Sequence, residues 1–131
     1  LPTAHPVWMM SRMSAPSTTP LTVTLEAAFA GFTFMPWASF AHNSINPVLV
    51  LHPDHIEYRV LRLRSRPYAE VVEVDYRHTF ATHNIVLRFK DSVRTFIGNA
   101  GLERRAREAI TVLRGKGCAL SERAERLVGP P

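Results

Sequence analysis

The sequence has a single cysteine, Cys118, among 131 residues, which excludes an internal disulfide framework and a cysteine-based zinc site. Cys118 follows Gly115-Lys116-Gly117, with no histidine or carboxylate close by to lower its pKa. It therefore reads as a small apolar residue rather than a nucleophile. Charge is missing over one long stretch: no Asp, Glu, Lys or Arg occurs from Ala27 to Pro53. A membrane-spanning helix needs ~20 apolar residues. This segment breaks at Pro36 and meets Asn43, Ser44 and Asn46 too soon. It reads as buried strand and loop, or as an apolar patch that meets another subunit or a membrane surface. There is no glycine-rich phosphate loop and no spacing that pairs a nucleophile with a base.

Lysine is nearly absent as well. Only Lys90 and Lys116 occur, against fourteen arginines, and the formal net charge is +5. That balance favours anionic partners such as acidic proteins, phospholipid headgroups or nucleic acid, without choosing among them. A chain of this length is one domain with one core. Residues 1–20 carry prolines at 2, 6, 16 and 20 and no periodicity, so they read as a flexible arm without the apolar run of a signal peptide. Met13-Ser14-Ala15 looks the more natural translation start, so the native status of residues 1–12 stays open. A lone free thiol fits a reducing cytoplasm.

The most ordered pattern runs from Ile56 to His78. Side chains on a strand alternate between two faces. Ile56, Tyr58 and Val60 alternate with Glu57 and Arg59; then the phase flips, so that Leu61 and Leu63 alternate with Arg62, Arg64 and Arg66. One extra residue flips a strand in this way, and a β-bulge is expected there. Val72, Val74 and Tyr76 alternate with Glu73, Asp75 and Arg77. The expectation is one hairpin turning at Ser65–Tyr68, with Arg62 and Arg64 across from Glu73 and Asp75. In that register the arginines either pair with those carboxylates or form a basic patch for a partner.

Around this pair, Leu21–Ala27, Val48–Leu51, Ile85–Lys90 and Val93–Gly98 read as further strands. His52-Pro53-Asp54-His55 reads as a tight turn. Two histidines and a carboxylate can bind zinc, but four consecutive turn residues offer no fourth ligand. Leu102, Ala106, Ala109, Ile110 and Leu113 form one apolar stripe, predicting a helix over 102–114, with Asn99 as N-terminal cap and Gly115 closing the end. Residues 21–117 then make up the domain, and 118–131 a short tail that adds at most a helical turn.

The fold class expected is mainly β with one C-terminal helix. The segments L-H-P-D-H-I-E-Y-R, Y-A-E-V-V-E-V-D-Y, N-I-V-L-R-F-K-D-S-V and A-R-E-A-I-T-V-L-R resemble successive strands and the helix of bacterial pleckstrin-homology (PH)-like domains, over Val48–Gly115. The resemblance implies an antiparallel β-barrel or sandwich plugged by the helix, and a non-enzymatic module found near membranes or in oligomers. No phosphoinositide motif maps onto these residues.

The leading expectation is therefore a cofactor-free binding or scaffold module. It would use Arg59, Arg62, Arg64, Arg66 and Arg88 to engage a protein partner or anionic membrane lipid, with a homo-oligomer as a further alternative. The second is a single-stranded nucleic-acid binder using the same arginines, with Tyr58, Tyr68 or Tyr76 stacking on bases. The third is an enzyme drawing on His52, Asp54, His55, Glu73 or His78, which requires those groups to share a cleft.

Overall fold

Among the described residues, nine short strands and two α-helices account for the apolar pattern. The computed structural model describes residues 19–32, 35–39 and 47–130, with side chains left undescribed at 31–32 and 35–39. In order these are β1 (Leu21–Thr22), β2 (Ala27–Phe32), β3 (Met35–Ser39), β4 (Val48–Leu51), β5 (His55–Arg59) and β6 (Leu63–Pro67). They continue with β7 (Val71–Thr79), β8 (Thr82–Phe89), β9 (Arg94–Asn99), α1 (Glu103–Gly115) and α2 (Glu122–Val128). The strands form two antiparallel sheets, ordered β1-β4-β5-β6 and β3-β2-β9-β8-β7. The fold is thus mainly β, as expected. The sheets do not close into a barrel, because β6 and β7 follow each other in sequence but pair in different sheets.

The expected central hairpin divides at this point. β5 turns back through Val60–Arg62 and pairs with β6, so that Arg59 faces Leu63 and Tyr58 faces Arg64. The phase flip marks this turn and not a bulge. An odd number of inserted residues reverses parity whether the strand bulges or turns, and alternation alone cannot separate the two. Pro67 cannot donate to a ladder and ends β6. The chain then crosses to the second sheet through a single 3-10 turn, Tyr68–Glu70. Tyr68 anchors that crossing by donating its hydroxyl to the carbonyl of His52 at 2.5 Å.

Between the sheets lie Leu49, Ile56, Ile85, Leu87 and Phe96, all essentially without solvent exposure. Helix α1 covers this core with Ala106, Ala109, Ile110 and Leu113, the stripe expected from the sequence. Leu102, assigned to the same stripe, is instead the N-cap and 43% exposed. Asn99 does not cap the helix, because it still belongs to β9; its Oδ1 accepts from the amides of His83 (3.1 Å) and Gly101 (2.9 Å). The left-handed residue that ends α1 is Gly117, with φ 89°, two residues beyond the glycine expected to close it.

The segment after Cys118 does more than fray. Val74 donates its amide to Ala119 (2.8 Å), and Ser121 donates its amide to Val74 (2.8 Å), so this stretch covers the free edge of β7. Ser121 then caps α2 by accepting from the amide of Ala124 at 3.1 Å. The uncharged segment contributes β2 and β3 to the five-stranded sheet, with Ala28 fully buried. The flexible arm expected over 1–20 falls outside the described residues except at 19–20, as do residues 40–46 of the uncharged stretch.

Candidate binding cleft

Residues directly opposite on paired strands share a face. Arg64 sits opposite Tyr58 and Arg66 opposite Ile56, and both Tyr58 and Ile56 point into the core. The arginines of β6 therefore lie on the inner side of the sheet, where the two sheets part. There they wall a cleft of about 620 Å³ together with Arg62, from the β5–β6 turn, and Arg94, from the start of β9. Its floor is aromatic: Tyr58 stacks on Phe89 at 5.1 Å between centroids and meets Phe96 edge-on at 5.4 Å.

The four arginines are not equivalent. Arg66 is committed to the protein: its guanidinium lies 4.8 Å above the Phe89 ring, donates to Tyr58 Oη at 3.2 Å and pairs with Glu70 at 3.0 Å. Burial works against its charge, but the bonds to Tyr58 and Glu70 outweigh it and raise its pKa. Arg62, Arg64 and Arg94 are exposed, and among the described residues none forms an ion pair or a side-chain hydrogen bond.

The carboxylates expected opposite them are engaged elsewhere. Glu73 pairs with Arg88 at 3.0 Å. Asp75 binds Arg123 and Ser121. The self-paired face expected for Arg62 and Arg64 does not form, because β7 belongs to the other sheet.

Of the five arginines singled out from the sequence, the cleft gathers Arg62, Arg64 and Arg66. Arg59 lies on the opposite face of β5, beside Val48 and Leu63 in the ladder, and its Nε is buried with no hydrogen-bond partner among the described residues. Arg88 alternates with the core residues Leu87 and Phe89 and points away from the cleft toward Glu73. Arg94 was missed. Its only sequence signal is its place near the start of the strand read over Val93–Gly98, and the pairing of β9 between β2 and β8 carries it to the cleft.

The tyrosines proposed as stacking platforms are all buried. Tyr76 spends its hydroxyl on His83 Nδ1 at 2.7 Å. The candidate acid–base groups fall in three places. His52 and His55 stack on each other at 4.3 Å in the β4–β5 turn, where His52 bonds Glu57 and His55 bonds Asp54. His78 stacks on His83 at the far end of β7 and β8, and Glu73 is held by Arg88. Among the described residues no group of three or more His, Cys, Asp or Glu is arranged to hold a metal ion, and no helix is long and apolar enough to cross a membrane. Cys118 is buried with its Sγ 3.9 Å from the Tyr68 carbonyl, and burial pushes its thiol pKa up to about 11.

No protein-family model and no curated protein matches the chain.

Proposed function

We propose that the chain is a non-enzymatic binding module of PH-like sandwich architecture that engages an anionic partner, a protein or an anionic membrane surface, through the cleft between its sheets. Two packed antiparallel sheets followed by a covering helix support the architecture. One observation carries the function: Arg62, Arg64 and Arg94 converge on one concavity without a carboxylate among the described residues to neutralise them. Like charges held together over apolar walls focus a positive potential, and such a field draws in an anion. By contrast, Arg88, Arg107, Arg123 and Arg126 each hold a carboxylate, and Arg105 and Arg114 bond backbone carbonyls.

Single-stranded nucleic acid is the weaker reading. Base stacking needs a free aromatic face, and here Tyr58 and Phe89 face each other while Arg66 covers the Phe89 ring.

The test is the double variant Arg62→Glu/Arg64→Glu. Both side chains are exposed, so circular dichroism and urea unfolding should match the parent, while retention on acidic-protein or anionic-vesicle baits disappears. Undiminished retention by a folded double variant would sink the proposal.

A further inference from the structure

The cleft has a second property besides charge. Its β6 wall is a sheet edge: β6 pairs with β5 on one side and, among the described residues, with no strand on the other. An unpaired edge presents a row of backbone donors and acceptors that another extended chain can complete. β6 also carries arginine at alternate positions, Arg64 and Arg66, with Arg62 two residues before them in the turn. That period of two is the spacing of side chains on one face of an added strand.

We propose that the free edge of β6 accepts an extended, acidic peptide segment of a partner protein as an additional strand, its carboxylates directed to Arg62 and Arg64 and met across the cleft by Arg94. This rests on the reading of the cleft as an anion-binding site and names the partner's chemistry.

The charge pattern selects the occupant. A second copy of β6 would set arginine against arginine, and like charges directly opposite across strands are destabilising. Self-pairing is disfavoured, whereas a strand with acidic residues at every second position is complementary. Pro67 limits the docking ladder to the segment before it, because proline offers no amide hydrogen. Arg66 is already satisfied by Tyr58, Glu70 and Phe89, so it fixes the wall and leaves recognition to the unpaired arginines.

The experiment measures fluorescence anisotropy of the full chain with three labelled synthetic peptides about as long as β6. The first alternates glutamate and threonine, the second has the same sequence with alternate backbone amides N-methylated, and the third replaces glutamate by glutamine. A parallel arm uses vesicles of phosphatidylserine in phosphatidylcholine. The proposal expects the glutamate–threonine peptide to bind and both altered peptides to lose binding. Arg64→Glu should weaken the first peptide about tenfold, equivalent to ~1.4 kcal/mol. Amide exchange should slow along Leu63–Ser65 when the peptide is bound.

If N-methylation leaves binding unchanged, the contact is charge alone and strand addition is wrong. Vesicle binding without peptide binding would also overturn strand addition while leaving the anion-binding cleft intact. Failure of acidic peptide and vesicle alike would remove both.

Discussion

Asp75 is the carboxylate on which the C-terminal helix depends, and replacing it should release that helix without disturbing the first sheet. The residue is 6% exposed, yet its oxygens accept from Ser121 Oγ at 2.6 Å, from Arg123 Nε at 3.2 Å and from Nη2 of the same guanidinium, and from the Tyr76 amide at 2.8 Å. Burial alone would raise its pKa, but the bonds from Ser121, Arg123 and Tyr76 hold it below the ordinary value of 3.8. The charge is therefore kept, and α2 is tied to β7 through it.

The cost of losing it follows from what each partner does next. Arg123 is 53% exposed and can be rehydrated, and Ser121 Oγ still caps α2 by accepting from Ala124. Hydrogen bonds to a charged group contribute ~1.5–3 kcal/mol each, but they are not additive when partners can turn to water. Asp75→Ala should therefore destabilise by about 2–3 kcal/mol, and Asp75→Asn, which keeps one acceptor and the shape, by roughly half that.

Urea unfolding gives the total, and amide exchange locates it: protection should fall over Glu122–Val128 and persist in β4, β5 and β8. The pH dependence has a definite sign. A carboxyl whose folded pKa is lowered stabilises the fold fully above its unfolded pKa, about 3.8, and that contribution fades as pH falls through the lower folded value. The stability gap between parent and Asp75→Asn should accordingly be constant near neutrality and close on acidification below about pH 4. Unchanged protection of α2 in Asp75→Ala, or a gap that widens in acid, would refute the reasoning.

Other perturbations test the core and its edges. Ile110→Ala removes a fully buried side chain where α1 meets the sheets and should cost about 2–5 kcal/mol in urea unfolding, the range for truncation of a large core residue. Cys118, buried and with its pKa pushed up to about 11, should resist a thiol-titrating disulfide reagent at neutral pH until denaturant is added; fast native-state labelling would mean the site opens. Gly101 has φ +77°, and a Cβ there would come within 2.3 Å of Glu26 Oε2. The flexible carboxylate can swing aside, so Gly101→Ala should cost chiefly the left-handed backbone penalty of about 1–2 kcal/mol, read as a lower urea midpoint.

Local periodicity made β4, β5, β7, β8, β9 and α1 legible, because alternation and the apolar stripe are set by neighbours within a few residues; it misled at Leu21–Ala27, read as one strand, where Leu21–Thr22 and Ala27 belong to different strands in different sheets. The pairing of charges was not legible for the same reason. Alternation alone makes Glu73 and Asp75 the partners of Arg62 and Arg64 across a single hairpin. Glu73 instead meets Arg88, fifteen residues onward, and Asp75 meets Arg123, forty-eight residues onward.

Those distant pairings are decided by which sheet β7 joins, and Pro67 with the buried Tyr68 turn decides that. Arg94 carries no local signal, because it reaches the cleft only through the pairing of β9 with β2 and β8. The consequence runs against the simplest reading of the alternation. Had one hairpin formed, the arginines would have faced their own carboxylates and the basic face would have been largely neutralised. Because the chain breaks at Pro67, the acids of β7 are drawn to other arginines. Arg62 and Arg64 are left beside a strand edge that no other strand pairs among the described residues, a placement that follows from the fold rather than from the charge count.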